Sequence, residues 1–175
     1  VFITHLHIDH VGTNMIRTDL GWVPTFPNAT YMVSDVDWQL FGKMIDKKPF
    51  TYLKQQILPL FEFSLLELFE GERELSPEVK TIPTPGHTPG HTSLLIESDD
   101  EKAIVVGDVI HIPPQLNETH WSPRVDRDKN LSAKTREQLV KTIEEEHASI
   151  VAGHFPAPGI GNILTINSKR TYVSL

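Results

Sequence analysis

Four times in this chain a short run of β-branched or aromatic residues stops at a small or hydroxyl-bearing residue, and a His or Asp follows at once. The four are Phe2-Ile3-Thr4 before His5, Ile82 to Gly86 before His87, Val105-Val106-Gly107 before Asp108 and Val151-Ala152-Gly153 before His154. Runs of this composition are strands with buried faces, and a strand's end is where the backbone leaves the core. The repeated pattern therefore sends donor side chains from several strand ends into a common space, which requires an α/β architecture. A glycine before the donor is expected to let the backbone pass close to whatever the donors hold.

The stretches between these runs fit that architecture. Residues 29–34, 79–84, 93–97, 102–106 and 149–152 read as strands, 64–70 as a short strand or turn, with a turn at 98–101. Helices are expected from Ser34-Asp35 onward, over 51–61 with a break at Pro59, and over 133–146, where Leu139, Val140 and Ile143 share a face. Residues 12–28, 111–129 and the Pro156 to Gly161 stretch read as irregular loops. No repeat, linker or low-complexity run divides the sequence, so residues 1–175 are expected to form one domain.

Composition removes several alternatives. The chain has 175 residues, enough to bury a core, and no cysteine, which excludes disulfide staples, thiolate metal sites and cysteine nucleophiles. A net charge of −7 disfavours nucleic-acid and anionic-lipid partners. No apolar run approaches the roughly 20 residues of a membrane helix. A small-molecule substrate and a cytoplasmic location are expected, and a homodimer is compatible with the sequence. Val1 to Thr4 read as a strand already under way, so an N-terminal portion is expected to precede them and the first sheet to show an open edge.

The nine His are not scattered at random. Thr4-His5-Leu6-His7-Ile8-Asp9-His10 packs three imidazoles and a carboxylate into six residues just past a strand. Extended backbone puts His5 and His7 on one side, and a turn after them can bring Asp9 and His10 to a second position. Two adjacent metal ions suit this better than one, and without cysteine their ligands must be nitrogen and oxygen.

These motifs resemble those of the metallo-β-lactamase superfamily of hydrolases. His-x-His-x-Asp-His stands unaltered at His5 to His10, Gly-His-Thr-Pro-Gly-His at Gly86 to His91, and Gly-Asp and Gly-His at Gly107-Asp108 and Gly153-His154. The resemblance implies an αββα sandwich whose usual N-terminal strands are missing before the first motif. It implies one metal on His5, His7 and His87, a second on Asp9, His10 and His154, and Asp108 bridging both; His91 would lie outside the ligand set. The pair would be two divalent ions, zinc by preference, with iron, manganese or cobalt as alternatives. The implied chemistry is hydrolysis by a hydroxide bridging the ions, with Asp9 also passing a proton to the leaving group.

For substrate, the resemblance divides. Lactonases of the superfamily carry a Tyr three residues after the bridging Asp, where this chain has His111; that is more similar to the methyl parathion hydrolase branch. His111 is a candidate catalytic residue, or a loop His bonded to backbone or water. Trp22, Phe26, Trp121 and Phe155 are candidates for an apolar pocket wall. The reading is a hydrolase of apolar esters, lactones or phosphotriesters. A dedicated acyl-homoserine lactonase, a glyoxalase-II-like thioesterase and a metal-binding non-enzyme are the alternatives.

Overall fold

Most of the β-branched runs become strands. The computed structural model describes residues 1–19 and 21–175, which fall into two units, Val1–Glu70 and Gly71–Leu175.

The first unit opens without a full strand. Val1 to Ile3 lie beside Met32 through one parallel bridge, Phe2 to Met32, with Met32 N donating to Val1 O at 2.8 Å and Ile3 N to Met32 O at 3.0 Å. No strand pairs with the other edge of this segment among the described residues. A single helical turn follows, α1 (Ile8–Val11), then a hairpin of β1 (Met15–Thr18) and β2 (Gly21–Pro24) in the region expected to be irregular. Only Met15 of β1 is buried, so the alternation that would have announced this hairpin is absent.

β3 (Tyr31–Ser34) and β4 (Leu66–Phe69) pair in parallel, which demands a crossover. The crossover contains α2 (Asp35–Phe41), α3 (Leu53–Gln56) and α4 (Leu58–Glu62). The helical stripe of 51–61 breaks at Ile57, and Pro59 sits in the first turn of α4, where its missing N–H costs nothing. Ile3, Leu6, Val11, Tyr31, Val33, Phe41, Leu53, Ile57 and Leu60 form the buried cluster of this unit.

The second unit is built on a seven-stranded sheet. Its strands are β5 (Glu74–Ser76), β6 (Val79–Pro83), β7 (Thr92–Ser98), β8 (Glu101–Val105), β9 (Ser149–Val151), β10 (Ile160–Ile166) and β11 (Lys169–Ser174), in the order 11-10-9-8-7-6-5. Neighbours are antiparallel except β8 and β9, which run parallel and are joined through α5 (Lys129–Glu145). α5 begins four residues before the expected start because Asp128 caps it, accepting from Leu131 N at 2.9 Å. Its face of Leu139, Val140 and Ile143 packs with Ile104, Val106, Val109 and Ile150. Each such side chain contributes about 1.5–3 kcal/mol on burial.

Two hairpins turn on residues with positive φ. Asp99 and Asp100 (φ 52° and 65°) join β7 to β8, and Asn167 and Ser168 (50° and 60°) join β10 to β11. That second hairpin begins inside the expected Pro156–Gly161 loop: Gly161 is a strand residue.

Candidate metal centre

In the first unit Leu6 is the anchor. Its side chain is fully buried, its N–H donates to Asp37 Oδ2 at 3.4 Å, and its carbonyl accepts from Tyr52 Oη at 2.6 Å. Fixing Leu6 turns the residues on either side together, and His5 Nε2 lies 3.1 Å from His7 Nδ1. His7 is the N-cap of α1, whose single turn carries Asp9 and His10. The His5 and His10 ring centroids are 4.1 Å apart, and Asp9 Oδ2 is 3.6 Å from His10 Nε2. The four donors of the first motif thus lie together, with Asp9 the most exposed. Burial, then the negative charges of Asp9 and Asp37, push the Tyr52 phenol above its ordinary range, so it stays a donor.

In the second unit the centre is Asp108. Its side chain is 5% exposed, and three imidazoles close on it. His87 Nε2 and His111 Nε2 stand 3.2 and 3.1 Å from Oδ2, and His154 Nε2 stands 3.4 Å from Oδ1. His111 and His154 stack with centroids 5.4 Å apart. The structure therefore brings His87, Asp108, His111 and His154 together, from the ends of β6, β8 and β9.

His91 touches this group differently. The Asp108 backbone N–H donates to its Nε2 at 3.0 Å, so that nitrogen's lone pair is engaged. Nδ1 must then carry the proton, and it donates to Thr84 Oγ1 at 2.8 Å. The relay continues from Thr84 to Ser93 Oγ (2.9 Å) and from Ser93 to Val106 O (3.4 Å). His91 holds the backbone of Asp108.

Sequence reasoning missed what lies behind His87. Its Nδ1 donates to Asp126 Oδ1 at 2.9 Å, and both side chains are within 1% of complete burial. Asp126 Oδ2 accepts from Arg136 Nη2 at 3.3 Å, and Arg136 is fully buried. All five N–H groups of that guanidinium have acceptors: Nε on Val109 O (2.6 Å), Nη1 on Thr119 O and Trp121 O (2.7 Å each), and Nη2 on Asp126 and on Ser132 Oγ (3.0 Å). Burial works against a charged His87, but hydrogen bonds and charge from Asp108 and Asp126 outweigh it and hold its pKa at about 9. Burial would raise Asp126; the His87 and Ser132 hydrogen bonds and the charges of His87 and Arg136 hold its carboxyl below the ordinary range instead.

The glycine before His87 serves a purpose other than the expected one. Gly86 has φ +136°, and a Cβ there would collide with the backbone of Ser132 in α5. The same loop is tied down by Asp128 N to Gly86 O (3.0 Å), Arg127 N to His87 O (3.1 Å) and Thr135 Oγ1 to Pro85 O (2.6 Å). Gly86 makes room for a helix. Of the four aromatic candidates, Phe155 is buried in the core with Tyr172 against it, Trp22 lies in β2, and Trp22, Phe26 and Trp121 are exposed.

The donors suit a divalent cation. Each is an imidazole nitrogen or carboxylate oxygen, the set zinc takes when cysteine is absent, and the described residues include groups of His and Asp able to hold an ion. A buried carboxylate whose oxygens face imidazole nitrogens is a site that a cation can enter by displacing protons.

Residues 1–154 match the family description of the metallo-beta-lactamase superfamily, and the chain belongs to it. It is 27% identical over 154 residues to an N-acyl homoserine lactonase of Bacillus sp, covering 88% of this chain and 54% of that protein. It is 30% identical over 174 residues to the N-acyl homoserine lactonase AttM of Rhizobium radiobacter, covering 87% of this chain and 56% of the relative. The chain thus spans little more than half the length of the curated relatives it matches. Among solved structures it is similar to AbOPH, a hydrolase in the beta lactamase superfamily, with a TM-score of 0.86, 26% identity and coverage of 99% and 63%. AidC, a dizinc quorum-quenching lactonase, shares the fold at a TM-score of 0.78 and 23% identity, with coverage of 99% and 63%.

Proposed function

We propose that this chain carries the centre of a dinuclear metal-dependent hydrolase that opens lactones and related apolar esters. The observation that carries the reading is the buried Asp108 carboxylate, which offers Oδ2 toward His87 and Oδ1 toward His154, as a bridge between two ions must. His5, His7 and His87 would hold one ion, Asp9, His10 and His154 the other, with residues 1–175 working as one domain. Two divalent cations, zinc by preference, would activate a shared water and polarise the bond under attack.

The chain's own groups have separate tasks in this reading. Asp9, the exposed carboxylate of the set, takes up a proton and passes it to the leaving oxygen. His111, whose Nε2 is 3.1 Å from Asp108 Oδ2, is the imidazole beside this centre that would stabilise charge on a substrate oxygen. The lactonase relatives favour a lactone over a phosphotriester. The substrate is a small molecule rather than a nucleic acid, in keeping with the −7 charge. No helix among the described residues is long and apolar enough to cross a membrane. A cytoplasmic location and a homodimer belong to the same proposal.

The test is metal analysis with a panel of acyl-homoserine lactones, simple lactones, aryl esters, thioesters and phosphotriesters. Two zinc ions per chain and lactone turnover are expected. Asp108→Ala should lower metal content and turnover together, whereas His111→Ala should keep the metal and lose about 10–100-fold in turnover. Full metal content in Asp108→Ala would overturn the bridging role.

A further inference from the structure

We infer that Asp126 and Arg136 are positioning residues for the metal centre, selecting the nitrogen that His87 offers to an ion and setting its distance from Asp108. The inference rests on the metalloenzyme reading above and adds to it residues that lie outside every ligand motif.

An imidazole can bind a cation through either nitrogen, and a neutral ring carries its proton on the other. Asp126 Oδ1, 2.9 Å from Nδ1, can only accept, so it keeps a proton on Nδ1 and leaves Nε2, beside Asp108, as the nitrogen a cation can take by displacing its proton. Asp126 itself cannot swing away. It is fully buried, its second oxygen is bonded to Arg136, and the Ser132 hydroxyl supports it as well. Arg136 is anchored in turn by three backbone carbonyls. One of them is Val109 O, the residue after Asp108. A single guanidinium therefore fixes both the partner of His87 and the backbone that carries the facing carboxylate. Lysine could not replace it, because a compact ammonium lacks the planar fork that reaches five acceptors.

The arrangement matches the way metal-bound imidazoles are commonly oriented, through a carboxylate on the remote nitrogen, and loss of such a partner costs about 10–100-fold in metal affinity. The experiment reads zinc affinity by competition with a chromophoric chelator, on the full chain and on Asp126→Asn, with far-UV circular dichroism as the folding control. Asp126→Asn should weaken one of the two zinc equivalents by about 10–100-fold. Its cobalt(II) derivative should show a shifted ligand-field spectrum, a change that lowered stability alone does not produce. Should Asp126→Asn fail to fold because Arg136 is stranded as a buried charge, the double variant Asp126→Asn with Arg136→Met removes both charges and should show the same loss.

A measurement on the unaltered chain covers the case in which neither variant folds. Long-range proton–nitrogen correlation spectra of the zinc-loaded chain should show His87 protonated at Nδ1 and metal-bound at Nε2. Wild-type zinc affinity in a folded variant, or zinc on Nδ1, would overturn the inference alone. A wild-type chain that takes up no zinc would overturn the hydrolase reading and this inference with it.

Discussion

Replacing Arg136 with Met should be the most damaging single change outside the candidate ligands. The variant keeps a long, unbranched side chain, so little volume is lost, and the effect comes from polar groups. Asp126, with no exposed side-chain surface, loses one of its two cationic partners and keeps His87, and Val109 O and Thr119 O lose the guanidinium donors they now have. Trp121 O keeps the Gln115 amide at 2.8 Å. Removing one member of a buried ion pair costs about 3–5 kcal/mol, and each buried carbonyl left without a donor about 1–3 kcal/mol, not additively. A loss of roughly 4–5 kcal/mol is expected, against a total of about 5–15 kcal/mol for an ordinary domain. Urea denaturation of the metal-free chain measures it, and adding Asp126→Asn closes a double-mutant cycle. The double variant should be more stable than Arg136→Met alone, because no buried carboxylate is left short of its guanidinium, giving a coupling of about 2 kcal/mol or more. A single-variant cost below about 1 kcal/mol, or strict additivity, would refute the reasoning.

Three further outcomes follow from the geometry. His87 is held at about 9 in the fold, above its ordinary 6.5, so its charge stabilises the metal-free protein fully below pH 6.5, and that contribution is lost as pH rises through 9. The urea midpoint of the chelator-treated chain should therefore fall between pH 6 and 9.5 by more than that of His87→Gln; parallel profiles would remove His87 as the cause. His91→Ala should cost about 1–3 kcal/mol by leaving the Asp108 amide without its acceptor while zinc stoichiometry stays at the wild-type value; a lost zinc equivalent would make His91 a ligand after all. Gly86→Ala should destabilise the fold by about 1–3 kcal/mol through its positive φ alone, before the collision with Ser132 is counted, and a wild-type melting temperature would contradict the close packing described.

The donors were legible because strand and donor are adjacent in sequence. His87, Asp108 and His154 each follow an apolar run by one or a few residues, and a run that short can only place its end in one region. Asp126 was not legible for the opposite reason: it is 39 residues from His87, inside a charged stretch that reads as a solvated loop. Arg136 did leave a trace. It lies three and four residues before Leu139 and Val140, on the stripe that also contains Ile143, so a cation stood in the buried face of α5. The β10–β11 hairpin escaped because its turn is Asn-Ser rather than Asn-Gly, and because Leu164, Thr165 and Ile166 are all exposed, so neither face alternates. The opening strand shrank to one bridge because only Phe2 pairs.

The second unit's sheet has two ends with opposite tolerance for change. β6 and β8 finish, and β7 starts, at the end that bears His87, His91 and Asp108, and β9, parallel to β8, adds His154 there. A one-residue insertion at that end would shift a side chain to the other face of its strand and pull a donor out of the set. At the opposite end lies the Asp99–Asp100 turn, exposed and separated by the length of the strands from His87, Asp108 and His154. Peptide tags, lengthened loops or a whole inserted domain belong at Asp99–Asp100, where the sheet insulates the donor-bearing edge from what is grafted onto it.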